Sequence, residues 1–534
     1  MRLPRRAFLG SAAGLAVQSP ALAGGLARTT GTGPTFSLLD GLTLAERLDV
    51  LSGRNRMDLT ARFSALLTQA AAQGPGVTID CRAWRGDVVW SANPFAEIPR
   101  LPGTLLTGAV TFRKDFAQGP IYVPSQMHWR MAGTQIRPLR PLQAIALDAS
   151  PAAAMVMTWM TTVEFDGRAG SRSLTLTLDG YSRYVVPGAQ IGIFAAAEYS
   201  AIDQSLARGM TARDTRLIFA DPASAGPSLG GTPGSDGSSL VFLKIGSEVL
   251  QCVVDARGRA TRVTRGVQGT RPAVHAAGSR IMLMTMRRYV VTGVNGREVS
   301  LDGPLPRDFV SGRAVVGAVD ARMSGDFTID GEHQRGTTPA GVWMALSSVL
   351  GTRFSVEGAG RLMRTPHGGF MQWGCRDSRV RGALIEDCGQ PDRDLGAAIW
   401  GFGGGSGNQV RFDRIRGGHI GVALDNKSYG IPYYGMIDGE TGGDYRVGEM
   451  ENVETSVAIS GCSGNRVVIG RLNVGAAMPD FDNAVSSRQT TRAVASVGNA
   501  VVIESSPVVA EPTGRDASRN EVSVNGQRLP QARP

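Results

Sequence analysis

The chain has 534 residues, of which 42% are hydrophobic, 19% charged and 6% aromatic, and it carries a formal net charge of +10. Its 70 Gly and 28 Pro favour many tight turns and an all-β architecture over helical bundles. No apolar run reaches the ~18 residues that would span a membrane. The basic residues form no run of the nucleic-acid-binding type, which leaves weak attraction to anionic polymers as the consequence of the charge.

The first segment is "PRRAFLGSAAGLAVQSPALA", residues 4–23. The pair Arg5 and Arg6 precedes Phe8 and Leu9, a mild apolar stretch and the small-residue cleavage pattern Ala21-Leu22-Ala23. This resembles a twin-arginine export signal, with Pro4 where such signals usually carry Ser or Thr. The resemblance implies that residues 1–23 are removed, that the twin-arginine export machinery is a partner, and that the mature protein is periplasmic or secreted. Residues 24–43 read as a linker.

Next, "MDLTARFSALLTQAAAQGPG" predicts one amphipathic helix. Leu59, Phe63, Leu66, Leu67 and Ala70 share a face, Asp58 caps the start and Gly74-Pro75 stops it. The strand "VTIDC" follows. The helix suits a lid over the open apolar end of a repeat protein, so residues 44–135 are expected to form a cap and first coils. Residues 136–285 fit no repeat and read as a β-rich insertion. A flexible loop is expected at "DPASAGPSLGGTPGSDGSS".

From residue 286 to 510 a short step recurs: "GNQV" at Gly407, "GNRV" at Gly464 and "GNAV" at Gly498. With the last residue as anchor, equivalents fall at Ile329, Phe354, Val380, Val410, Val447, Val467 and Val501. Short alternating strands flank these anchors. Helix-free units of about 20–37 residues are turns of a β-solenoid, whose strands stack at about 4.8 Å around one core. Gly and Asn tolerate positive φ, so the step predicts a sharp corner once per turn, with Asn free to bond the backbone. A β-sandwich is the alternative; it would show hairpin dipeptides such as the Asn-Gly of "VNGR". Residues 511–534 read as a loose tail.

The segments "GPGVTIDC", "GPIYVPSQMHWRMAGTQI", "VTGVNGREVSLDGPLPRDFVSG" and "SGDFTIDG", with the helix, resemble the pectate-lyase superfamily. That resemblance implies an all-β, right-handed parallel β-helix with an N-terminal capping helix. It also implies a polysaccharide partner lying in a groove along the coils, no cofactor, and Ca2+ as the one metal the family admits. "IGSEVLQCVV" and "VTRGVQGTRPAVHAAGS" resemble a small β-rich module of phage tail proteins.

The candidate chemistry lies in "GGHIGVALDNKSYGIPYY". If Ile420, Val422 and Leu424 point inward, His419 and Asp425 point out, but ~20 Å apart along the strand. Their partners must therefore come from a neighbouring coil, where Asp387, Asp392, Arg393 and Asp394 lie. A glycosidase needs two carboxylates and a lyase needs a base plus a cation at the uronate. His419, Asp387, Asp425 and Lys427 are the catalytic candidates. Tyr429, Tyr433 and Tyr434, with Tyr445 in the same excess stretch, suit sugar faces, and Asp392 and Arg393 complete the binding set. "GGHIG" is similar to the Gly-His-Gly segment of polygalacturonases, whose paired-Asp and Arg-Ile-Lys segments are missing here. The expected function is a lyase or hydrolase of acidic polysaccharide; the alternative is a non-catalytic binding or surface-structural solenoid. Trp343, Trp373 and Trp400 recur in successive coils and read as core. Cys375 and Cys462 fall three coils apart, too far for a disulfide.

Overall fold

The computed structural model describes residues 28–30, 33–54, 57–115, 120–139, 154–196, 204–223, 225, 238–255, 257–267, 270–332, 344–389, 396–425, 439–473, 479–482, 496–507, 512–514 and 516–529. Among them, no helix is long and apolar enough to cross a membrane. Two long sheets run the length of the molecule. Sheet I has 17 strands and sheet II has 8. Sheet II is parallel throughout, and sheet I is parallel apart from an antiparallel pair at each end; both are built from pairs between successive coils, which is a parallel β-helix. One inward column of sheet I runs Phe36, Ile79, Leu105, Trp129, Met323, Val356, Val380, Val410, Tyr445, Val467, Val501 and Val522. In sheet II the matching column is Ile121, Val156, Leu346, Phe370, Ile399, Val422 and Val457. These rows face each other across one continuous core.

The repeat read from the sequence is present, with three anchors displaced. Val380, Val410, Val467 and Val501 are true neighbours, but Met323, Val356 and Tyr445 stand where Ile329, Phe354 and Val447 were expected. The displaced anchors are all buried. Side chains in a strand alternate with period two, so an inward residue two or six places along satisfies the same pattern.

The Gly-Asn step is a corner, as expected. Asp320, Arg353, Asp377, Gly407, Gly442, Gly464 and Gly498 all have φ between 48° and 68° there. Bridges from Val319 through Thr352, Arg376, Ser406, Thr441 and Ser463 to Val497 join the corners. The following Asn forms a buried ladder. Asn465 Oδ1 accepts from Gly443 N–H (2.9 Å), and Asn465 Nδ2 donates to the Glu440 carbonyl (2.8 Å) and to Asn499 Oδ1 (3.0 Å). Asn499 repeats this with Cys462 and Asn520. The ladder satisfies backbone groups that the turn would otherwise bury unpaired.

Helix α1 (Leu44–Ser52) opens on a capping box between Thr43 and Glu46 and closes on Gly53 at φ 71°. Helix α2 (Thr60–Ala72) buries Phe63, Leu67 and Ala70. Phe63 sits among Trp84, Trp90 and Phe95, with ring centroids 5.4–5.9 Å away, and closes the apolar end of the solenoid. Leu59, rather than the expected Asp58, holds the N-cap position and makes no side-chain bond there; Asp58, one residue earlier, accepts from Thr60 N–H at 2.9 Å and from its hydroxyl at 2.6 Å.

Between the sheet II strands Ala154–Thr158 and Met344–Val349 lies an antiparallel block running from Met160 to Gly317. It begins later and ends later than the 136–285 read from composition, because its strands alternate as regularly as those of the solenoid. Strands Met160–Gly167, Ser173–Leu176, Glu298–Leu301, Arg280–Asn295, Gln190–Ala196 and Phe309–Gly317 pair in that order, and the last returns to the first. The ring is a closed barrel filled by Val163, Phe165, Ile191, Ile193, Val299 and Val316. "VNGR" is the hairpin turn between Asn295 and Glu298 of this barrel, not a solenoid coil, whereas "SGDFTIDG" does lie in a sheet I strand. A second lobe is built on Ser238–Ile245, Glu248–Asp255 and Ala260–Thr264. There Glu248 is fully buried, held by Arg265 at 2.6 and 2.7 Å, by His275 Nε2 at 2.7 Å and by two backbone N–H groups. Burial opposes ionisation of Glu248, but these donors overcome it and hold the carboxyl at about 2.

The insertion covers the outer face of sheet II. Met371, Trp373, Trp400 and Phe402 point away from the solenoid core and pack with Val249, Met286 and Val315. Trp373 and Trp400 are thus neither solenoid core nor an open sugar track; Trp343 lies outside the described residues. Residues 511–534 are not simply a loose tail, since Glu521–Val524 adds a further parallel rung on Ala500–Ser505.

Candidate functional site

Each coil turns from sheet I to sheet II at a second corner, and this one is charged. Arg364, Asp387, Gly417 and Asn452 are equivalent positions at φ 50°, 50°, 71° and 54°. Their N–H groups step along the axis: Arg364 to the Glu386 carbonyl, Asp387 to that of Arg416, and Gly417 to that of Glu451, at 2.8–2.9 Å. Left-handed backbone at Arg and Asp costs on the order of 1 kcal/mol each, so the surrounding coils hold these residues in place. At position 417 a Cβ would meet Asp387 Oδ1 at 2.5 Å; glycine leaves room for that carboxylate.

His419 follows, with Nδ1 2.6 Å from Glu454 Oε2 on the next coil. The His419 side chain is 17% exposed and that of Glu454 48%. Engaging Nδ1 leaves Nε2 of a neutral ring free to take a proton. Upstream, Arg364 pairs with Asp330, and Glu332 bridges Arg113 (2.7 Å) and Arg137 (3.4 Å). Arg416 pairs with Glu386. His367 at the same corner lies flat on Trp400, centroids 5.9 Å apart, and burial pushes its imidazole down to about 4.

The structure therefore brings Asp387 and His419 to one corner on adjacent coils. It does not bring Asp425 to them. Asp425 ends the strand Ile420–Asp425 at the far side of sheet II, in an outward column with Phe402 and Ser460. The inward reading of Ile420 also fails. It packs on the outer cluster with Trp400, while Gly421 faces Met450 and the core. A local break in alternation at the strand start causes the shift. Lys427, Tyr429, Tyr433, Tyr434, Asp392, Arg393 and Asp394 lie outside the described residues.

Tyr445 is not a loop tyrosine. It is a fully buried core residue whose hydroxyl accepts from Gln372 Nε2. Beside it is Glu440, whose Oε1 accepts from Asn408 Nδ2 at 2.8 Å and from Gln372 at 3.4 Å. Burial pushes the Glu440 carboxyl up to about 7 against the pull of Asn408 and Tyr445. Gly405, one coil back, has no side chain where a Cβ would lie 2.0 Å from Glu440 Oε2. Glu454 and Glu440 were both missed in the sequence. Only the Glu454 position, one coil beyond His419, carried a signal, and only once the coil register was known. Among the described residues, no three carboxylate, His or Cys side chains converge as a cation site requires.

No family model matches the sequence, and no curated protein sequence does. Among solved structures, the chain is similar to the tailspike gp49 of Pseudomonas phage LKA1 at 11% identity, over 88% of this chain and 60% of that one, with a TM-score of 0.26. It is similar to the gp54 tailspike of Acinetobacter baumannii bacteriophage AP22, solved with A. baumannii capsular saccharide, at 9% identity, over 92% and 74%, with a TM-score of 0.26. A glycoside hydrolase aligns at 11% identity over 79% and 88%, with a TM-score of 0.17. The chain thus spans less than two thirds of gp49. Likeness at these scores carries no argument for activity, and the parallel strand register alone establishes the β-helix.

Proposed function

We propose that the protein is an exported, carbohydrate-active β-helix that acts on an acidic polysaccharide at the corner bearing Asp387, His419 and Glu454. The observation that carries this reading is the 2.6 Å contact of His419 Nδ1 with Glu454, on a partly exposed corner one coil from Asp387. In a β-elimination, His419 Nε2 takes the proton α to the uronate carboxyl. The electron pair forms the new C=C bond, the C–O bond to the leaving sugar breaks, and the departing oxygen takes a proton from water. Glu454 orients the ring and stabilises the imidazolium, so it is a positioning residue. Arg364 and Arg416 stand along the same corner, each paired with a carboxylate, Asp330 and Glu386, which a uronate would share or displace.

A non-catalytic polysaccharide binder is the second reading. It is favoured by the separation of Asp425 from the Asp387 corner. A panel of uronic-acid and neutral polysaccharides decides between them. Ultraviolet absorbance of a new double bond, lost in His419→Ala, supports elimination. New reducing ends without that absorbance replace it with hydrolysis. Silence on every polymer, with the polymer retained on immobilised protein, replaces catalysis with binding.

A further inference from the structure

The outer face of sheet I, separate from the corner above, carries an unusual column. Arg381, Arg411 and Arg446 are direct cross-strand neighbours on three consecutive coils. All three are exposed. Arg379 lies two residues before Arg381, and Arg466 extends the adjacent column one coil further. Acidic relief is sparse: Asp444 lies 3.0 Å from Arg446 and 3.7 Å from Arg466, and Asp413 lies 4.0 Å from Arg411. Arg379 and Arg381 make no ion pair among the described residues.

Like charges placed directly opposite in a sheet are destabilising. The neighbouring column shows the usual remedy, with Arg416 set between Glu386 and Glu451 and paired to Glu386. The arginine column lacks that alternation: Asp413 and Asp444 offset Arg411 and Arg446 only from the side, Arg381 has no ion pair among the described residues, and the net positive strip suits an anionic ligand. Guanidinium groups recur once per coil, at about 4.8 Å, close to the length of one pyranose unit in an extended chain. Around the column, the outward residues of the same sheet are mostly small or polar, such as Ser324, Ser355 and Gln409, with Glu357 beside Ser324 and the His128 imidazole bonded to Ser324 at 2.8 Å.

We infer that the Arg381–Arg411–Arg446 column is a docking track for a polysaccharide bearing one carboxylate per sugar, laid along the solenoid axis in register with the coils. The inference takes the polymer's acidic chemistry from the function proposed above and places it on a different face. Its arginines hold substrate chain, or anchor the protein to a matrix, away from the reacting corner.

The test is affinity for polygalacturonate, with dextran and single-stranded DNA as comparison probes. The wild-type chain binds polygalacturonate more weakly as salt rises and does not bind dextran. The triple variant Arg381→Gln, Arg411→Gln, Arg446→Gln binds about tenfold more weakly, the sum expected of three exposed ion pairs. Removing the same charge elsewhere, by Arg168→Gln, Arg213→Gln and Arg257→Gln on the insertion, leaves binding unchanged. Equal affinity of the first triple and wild type overturns the inference. So does equal weakening by the second triple, or tighter binding of DNA than of polygalacturonate. His419→Ala retains this binding, and the first triple retains any cleavage of short oligosaccharides, so failure of one reading is distinguishable from failure of the other.

Discussion

Replacing Asn465 with alanine tests the corner ladder on which the coil register rests. Asn465 Oδ1 is the acceptor for Gly443 N–H at 2.9 Å, and both residues are buried. The substitution strands that N–H without an acceptor, which costs about 1–3 kcal/mol. The Glu440 carbonyl keeps Ser463 N–H, and Asn499 Oδ1 keeps the Asn465 N–H, so the other losses are partial. A small cavity adds to the cost, and the expected total is about 2–3 kcal/mol. Asn465→Asp keeps the acceptor but points its second oxygen at the Glu440 carbonyl and Asn499 Oδ1, in place of the lost donor contacts. It is expected to cost more than the alanine, because a buried charge would face two acceptors. Urea unfolding followed by circular dichroism measures both, with hydrogen exchange locating the loss at the 439–473 coils. A midpoint for Asn465→Ala equivalent to wild type within about 0.5 kcal/mol, or an Asp variant as stable as wild type at neutral pH, would refute the ladder.

Further outcomes follow from the buried charges and thiols. The Glu440 carboxyl, at about 7 in the folded chain against 4.5 for the free group, binds its proton more tightly when folded. Stability therefore falls as pH rises from about 4.5 to about 7, by an amount on the order of 3 kcal/mol, and Glu440→Gln flattens that window in pH-dependent urea titrations. Glu248 is the opposite case: held at about 2, its contribution is present above about 4.5 and is lost as pH falls towards 2. Arg265→Ala strips that buried carboxylate of its guanidinium and leaves only His275 and two backbone N–H groups, costing the second lobe about 3 kcal/mol and exposing 238–275 to limited proteolysis. All five cysteines are buried and free, with burial pushing Cys375 and Cys388 up to about 11 and Cys252 to about 12. Alkylation without reductant should therefore label none in the native chain and all five after unfolding, and a Cys375–Cys462 bridge in the mass spectrum would contradict the coil register.

The corner was readable in the sequence because only a few residue types accept positive φ, and three of the seven corner positions are followed by Asn. The strand register was less so. Val447 and Tyr445 both face the core, and only the neighbouring coil shows that Tyr445 is the true partner of Val410. The barrel in the insertion escaped notice because its strands pair over long separations, Met160 with Gly317 and Gln190 with Val290. At the site, Asp387 and His419 could be named as outward polar residues, but Glu454 could not be joined to His419 without the three-dimensional stacking. The split of Asp425 from that corner follows from strand length, which the sequence did supply.

The insertion begins and ends on residues that face each other, Met160 and Gly317. During synthesis, the strand His128–Pro138 therefore has no downstream neighbour until Arg322–Asp330 emerges, although the two pair throughout. Ser125 and Val319, 194 positions apart, are bonded directly at 3.2 Å. Once the barrel closes, it acts as a clasp that turns a very long loop into a short one and lowers the entropic barrier to winding the next coil. The nascent spool is thus expected to pause half-wound, its growing edge bare, until the clasp snaps shut.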